Sequence, residues 1–292
     1  MMSDQHTPAA GTCPAAAPAC ETVPAVLVLA HDPDRRWTER FLLATSPLWI
    51  LAVAWVVLTG TLRAWDDADY LVFGCAVAAP AAIGPLLARG RPDAGRRPWH
   101  GYWFKLNLWV AIVVAFGTYF GTHYFFDYMG MRYAFGARWT FEAVELGHSG
   151  QRVPVFMYPL THAYFMTYFA ILMVADRTAV ARLGLGRDDA LPRRLGRAAV
   201  VLALAYGIAF AETFFMATEL LRDLFAYGSR ERMLAVGSFG YAVYFVIGLP
   251  VVRRIDGDPL RWPLLRVVGS ALATCMAILV ALELWAQLIG PL

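Results

Sequence analysis

About seven uninterrupted apolar windows, each near the roughly 20 residues needed to cross about 30 Å of hydrocarbon, fill most of this 292-residue chain. They fall at about 41–62, 70–88, 103–126, 156–175, 198–218, 233–252 and 264–288. No stretch long enough for a soluble domain lies between them. The fold class is therefore read as all-α: a polytopic membrane helical bundle of about seven transmembrane helices, one domain over residues 31–292. Residues 1–30 are rich in Ala, Pro and Thr and open on the polar MMSDQHTP, without the basic and apolar regions of a signal peptide. They are expected to form a disordered tail.

Composition agrees with a membrane solvent. Hydrophobic residues reach 59%, above the roughly 45–50% of soluble proteins, and the 16% that are charged bunch between the windows. Assigning alternate loops to alternate sides places 18 Lys and Arg on one side and 7 on the other, which puts the N-terminus in the cytoplasm. The Arg-rich, nearly Lys-free composition points to a bacterial cytoplasmic membrane, with the endoplasmic reticulum the alternative for a eukaryotic chain. No basic face or aromatic-basic motif suggests a nucleic-acid partner. Cys13, Cys20, Cys75 and Cys275 are far apart and form no CxxC pair, so neither a disulfide framework nor a zinc site is expected. No internal repeat of the kind found in many transporters is present.

An ionisable side chain at membrane depth costs at least about 2.5–3.5 kcal/mol, so each one is a candidate for function. Glu212, in AYGIAFAETFFMATEL, has apolar residues on both sides. Such surroundings favour a neutral carboxyl, suited to donating a proton; the alternative is a structural bond between helices. His123, in YFGTHYFF, ends a seven-residue-spaced stripe through Trp109 and Phe116, and can act as base, relay or polar cap. His162, in YPLTHAYF, is a third candidate for catalysis. Asn107, Tyr119, Tyr241 and Tyr244 could orient a substrate together with Trp109 and Phe116, or simply join helices. Glu283 and Glu219 lie near window ends where water reaches. Alternating topology places His123, His162, Glu212 and Glu283 in the non-cytoplasmic half, which predicts that the few buried ionisable groups gather there around an aromatic-lined pocket.

The segments YWFKLNLWVAIVVAFGTYFGTHYFF, LTHAYF, ALAYGIAFAETFF and YAVYFVIGLPVVRRID, in this order and spacing, resemble the cycloeucalenol cycloisomerase family. The resemblance runs from about Arg36 to the C-terminus and departs at the N-terminal tail and in a longer loop over 136–155. It implies an enzyme, an intramolecular lyase of sterol biosynthesis that opens the 9β,19-cyclopropane ring of cycloeucalenol to give obtusifoliol, a Δ8 sterol. Ring opening needs a strong acid at C19, a cation tolerated at C9, and a base for the C8 proton. Glu212 as acid and His123 as acceptor or relay, with His162, Asn107 and Tyr244 tuning, meet those needs. No cofactor or metal is implied, and the expected partners are a bilayer sterol and the membrane itself. A Δ8–Δ7 sterol isomerase would use similar residues, and a non-catalytic sterol-binding or transport protein is a reading from another class. The six histidines show no HxxxH or HxxHH spacing, which excludes an iron-dependent sterol oxidase.

Overall fold

The computed structural model describes residues 27–144, 147–186, 190–257 and 261–292. Most of the tail read over 1–30, with Cys13 and Cys20, lies outside the described residues. Its last residues are docked: the Val28 N–H donates to Thr178 Oγ1 and the Ala30 N–H to Glu39 Oε2, both at 3.0 Å.

The described residues form seven long helices: α1 (Pro33–Thr59), α2 (Asp67–Ala82), α3 (Tyr102–Phe120), α4 (Met157–Arg182), α5 (Leu191–Met216), α6 (Ser238–Val252) and α7 (Leu264–Ile289). Local chemistry sets their ends. The Asp32 carboxylate accepts the Arg35 N–H to start α1, and Gly60, at φ 69°, ends it in a left-handed turn. A reciprocal Asp66–Asp69 capping box starts α2. The turns Arg230–Arg232 and Met233–Gly237 run directly into α6.

The chain is an all-helical membrane bundle, with five helices long and apolar enough to cross a membrane: α1, α3, α5, α6 with its leading turns, and α7. The other two windows behave differently. α2 has only 16 residues, breaks at Ile83 and resumes as the short turn Gly84–Leu87, whose Pro85 cannot extend the ladder. α4 has 26 residues but carries Tyr158, Thr161, His162, Tyr164, Thr167 and Tyr168, and it packs inside the bundle against α1, α2, α3, α5 and α6. At its centre the Trp109 and Phe169 rings meet edge to face at 5.3 Å, and Phe169 lies 5.9 Å from Phe245. Gly248 permits this approach, because a Cβ there would stand 2.8 Å from Phe169 Cζ.

The helices also leave room for a ribbon that hydropathy did not predict. Strand β1 (Met131–Tyr133) pairs antiparallel with β2 (Phe225–Tyr227), Met131 facing Tyr227 and Tyr133 facing Phe225. The two-residue alternation of strands puts Met131, Tyr133, Phe225 and Tyr227 on one face.

The expectation that the buried ionisable groups gather at the non-cytoplasmic side is overturned, because Asp34, Glu39, Lys105, Asp176 and Asp256 are buried at the arginine-rich end. There the chain's single lysine, Lys105, lies 2.7 and 3.0 Å from the Asp256 carboxylate oxygens, the two side chains being 4% and 3% exposed. Arg261 reaches Asp34 at 3.1 Å, Arg177 reaches Glu39 at 2.5 Å and Arg253 reaches Asp176 at 3.2 Å. Asp34 also accepts the Tyr102 N–H and Asp256 the Trp262 N–H, at 2.9 and 2.7 Å. These contacts tie the starts of α1, α3 and α7 to the ends of α4 and α6. All but the Asp256–Trp262 contact, six residues apart, join residues distant in sequence, so each acid reads as an ordinary charge near a helix end. Asp256 holds a positive φ of 49°, uncommon outside glycine, within this set of partners. At the opposite end Arg63 pairs with Asp223 at 2.6 Å.

Breaking a buried ion pair from one side leaves an uncompensated charge and costs about 3–5 kcal/mol. Lys105→Met should therefore lower the thermal unfolding midpoint of the detergent-solubilised protein markedly. An unchanged midpoint would mean that Arg261 alone holds Asp256.

Candidate active site

The site grows from α5. Glu212 lies one turn before the end of that helix, far from the arginine-rich end, on the face turned toward α4 and α6. The Tyr168 and Tyr241 hydroxyls face its carboxyl, and the phenols of Tyr133, Tyr164 and Tyr227 lie within electrostatic reach. Its Oε2 is buried and accepts no hydrogen bond. Burial pushes the Tyr133 and Tyr227 phenols upward, so both remain protonated hydroxyls. Among the described residues Glu212 thus sits among donors and apolar rings, with no cation opposite it.

The carboxyl opens on an irregular cavity. Five tyrosines (133, 164, 227, 241 and 244) and three phenylalanines (125, 165 and 225) line it, with Thr118, Thr122 and Thr161 as further hydroxyls. One face of the ribbon supplies Met131, Tyr133, Phe225 and Tyr227, so the two short strands close the end of the cavity. Among the described residues lining it, Glu212 is the only carboxyl and no imidazole is present. Because these residues face an internal space, several retain accessible surface while enclosed by protein. The Tyr244 hydroxyl is buried without a partner, beside the surfaces of Gly117 and Gly121, where a Cβ would lie 3.2 and 3.0 Å from it.

The residues singled out from sequence divide among separate places. Glu212, Tyr241 and Tyr244 share the cavity. His123 lies beyond the end of α3 in a second polar cluster: its ring is 3.9 Å from that of Tyr124, whose hydroxyl donates to Glu283 at 2.8 Å, while Gln287 donates to the other Glu283 oxygen at 2.9 Å. His123 Nδ1 is 3.2 Å from the Phe120 carbonyl. Glu219 pairs with Arg222 at the surface, at 3.2 Å.

His162 and Asn107 form a pin between helices. His162 Nε2 lies 2.9 Å from Asn107 Oδ1, and Asn107 Nδ2 donates to the carbonyls of Ala81 and Trp103 at 3.1 and 2.9 Å. With both amide hydrogens on carbonyls, Asn107 presents its oxygen to the histidine, which therefore donates through Nε2. The pin corrects the depth assigned to His162. Asn107 is only five residues into α3 and Ala81 is next to the end of α2, so His162 reaches well toward the arginine-rich end. Trp109 is fully buried against Phe169, and Phe116 and Tyr119 pack on Phe120, at 4.9 and 4.7 Å. None of these three lines the cavity.

Tyr133, Tyr164, Tyr168 and Tyr227 are the site residues that the sequence reading missed. Tyr164 and Tyr168 sit one turn apart beyond His162, a spacing visible in the sequence. Tyr133 and Tyr227 belong to triplets, MRY and FAY, too short for a periodic signal, although each follows or precedes a glycine of the paired turn (Gly130, Gly228).

No family model matches the chain, and no solved structure matches it. Cycloeucalenol cycloisomerase of Arabidopsis thaliana is 33% identical over 271 residues, covering 91% of this chain and 90% of the relative. Identity at that level over nine-tenths of both chains establishes that the chain belongs to the cycloeucalenol cycloisomerase family.

Proposed function

We propose that this protein opens the 9β,19-cyclopropane ring of a cyclopropyl sterol, as in the conversion of cycloeucalenol to obtusifoliol, and yields a Δ8 sterol. The observation that carries this reading is the Glu212 carboxyl, set in the wall of an aromatic cavity where, among the described residues, its Oε2 is unengaged and no cation lies opposite. Membership of an isomerase family named for such a sterol supports the substrate class.

A cyclopropane offers no lone pair, so its strained C9–C19 bond must itself take the proton. Neutral Glu212 gives its proton to C19, the C9–C19 electrons form the new C–H bond of a methyl group, and positive charge develops at tertiary C9. The aromatic faces lining the cavity stabilise that charge by roughly 2 kcal/mol or more where water is excluded. The C8–H electrons then form the C8–C9 double bond and the C8 proton leaves to a base. Proton gained and proton lost balance, so the reaction needs no redox partner.

C19 and C8 are both bonded to C9, so a single carboxyl is within reach of each. Glu212, deprotonated by the first step, is the group placed to accept the second proton, either directly or through the Tyr168 or Tyr241 hydroxyl. His123 belongs to the cluster around Glu283 and, in this reading, does not take the C8 proton. The arginine-rich end, with the N-terminus, faces the cytoplasm, and a bacterial cytoplasmic membrane is the location most consistent with the composition.

Expression in a host lacking the activity, with a 9β,19-cyclopropyl sterol supplied and products followed by mass spectrometry, should yield the isomeric Δ8 sterol. Unchanged, tightly bound sterol would point instead to a binding protein. Removal of a general acid costs about 10²–10⁴-fold, and Glu212→Gln should lose turnover on that scale while expressing normally; full turnover would reject the assignment. His123→Ala should keep most of its turnover, whereas a loss equal to that of Glu212→Gln would restore His123 as the proton acceptor.

A further inference from the structure

Several tyrosine and threonine hydroxyls line the Glu212 cavity. Among the described residues lining it, however, only Glu212 Oε2 and the Tyr244 hydroxyl are buried side-chain oxygens without a hydrogen-bond partner. An unpaired buried polar atom costs stability, so each one in a folded protein calls for a reason. Ring opening uses Glu212 Oε2 and leaves the Tyr244 hydroxyl without a task.

Tyr241 and Tyr244 stand three residues apart on α6 and serve different walls of the cavity. The Tyr241 hydroxyl faces Glu212 on α5. The Tyr244 phenol instead lies against Gly117 on α3 and Gly121 just past its end, with Cys275 and Tyr124 within electrostatic reach. At both glycines no side chain stands between the hydroxyl and the backbone, which lets the phenol reach this wall. The two tyrosine rings are 6.0 Å apart, and the Phe125 ring lies 5.9 and 5.8 Å from them. The cavity thus offers two unengaged polar points, a carboxyl on the α5 side and a phenol on the α3 side, with aromatic surface joining them.

An occupant that meets both points carries one group able to donate and accept a hydrogen bond, about a ring's width from its reacting carbon, with apolar surface elsewhere. A sterol matches that description, because ring A alone separates its C3 hydroxyl from the 9β,19-cyclopropane. We propose, on the reading of this cavity as a sterol site, that the Tyr244 hydroxyl is the hydrogen-bond partner of the C3 hydroxyl. The bond fixes ring A against α3 and presents the cyclopropane to Glu212. Tyr244 is a substrate-positioning residue in this arrangement and takes no part in proton transfer. A site built around a substrate hydroxyl rejects an analogue that lacks it, because the site's own buried group is then left unpaired.

The test compares a 9β,19-cyclopropyl sterol with its 3-deoxy analogue on the full-length protein in nanodiscs. Binding is read as a dissociation constant, and ring opening by mass spectrometry of the products. Wild-type protein should favour the hydroxy sterol by about 5–150-fold, the effect of one unpaired buried hydroxyl. In Tyr244→Phe the ratio between the two sterols should fall close to one. Both sterols meet the same preparation, so a partial loss of folded protein cancels in the ratio, whereas a tyrosine that only packs helices would weaken both alike. Equal binding of the two sterols by wild-type protein would overturn the proposal without any variant. So would a wild-type ratio in Tyr244→Phe, or a ratio that collapses in Thr118→Val but not in Tyr244→Phe. Failure of the ring-opening reading looks different: a hydroxyl preference in binding that Tyr244→Phe abolishes, with no ring-opened product from either sterol, rejects the reaction and upholds the subsite.

Discussion

Inside hydrocarbon a charged side chain has no water to turn to, and its burial is tolerated only if the protein itself supplies a partner or the group gives up its charge. This bundle answers that constraint in two ways. At the arginine-rich end, Asp34, Glu39, Asp176 and Asp256 are each met by a cation, and the resulting pairs lock together helices that are far apart in the chain. At the other end Glu212 has tyrosine hydroxyls, and among the described residues it meets no cation and its Oε2 has no hydrogen-bond partner. In the proposed reaction that carboxyl is the proton donor.

The clamp and the cavity depend on one another through α4. That helix is too polar to face lipid along its length, and its interior position is held by the pin between His162 and Asn107 and by the close packing of Phe169 under Gly248. Held there, it turns Tyr164 and Tyr168 toward α5, where they meet Glu212. The short β1–β2 ribbon then closes the space beyond the helix ends with two more tyrosines and a phenylalanine. Aromatic rings bring no competing base and exclude water, so a carbocation formed in such a cavity is stabilised without being captured.

Much of this was legible in the sequence, and the reasons differ by residue. Helices α1, α5 and α7 present broad apolar surfaces to lipid, so hydropathy alone locates them. Glu212 stands out because an isolated acid in FAETFF carries a desolvation cost that demands a use. The ion-pair network was invisible because each member lies near a helix end, where charge is ordinary, and pairing links Lys105 to Asp256 across 151 residues. The division between His123 and Glu212 was hidden for a related reason. Windows assign depth along the membrane normal but not direction around a helix, so two groups read at one depth can face different neighbours.

Proton donation by an exchangeable carboxyl in the cavity is the central claim, and a single turnover in D₂O tests it most directly. Protein equilibrated in D₂O, in excess over a 9β,19-cyclopropyl sterol, should place one deuterium in the C19 methyl group of the Δ8 product. A product carrying no deuterium at C19 would contradict the account.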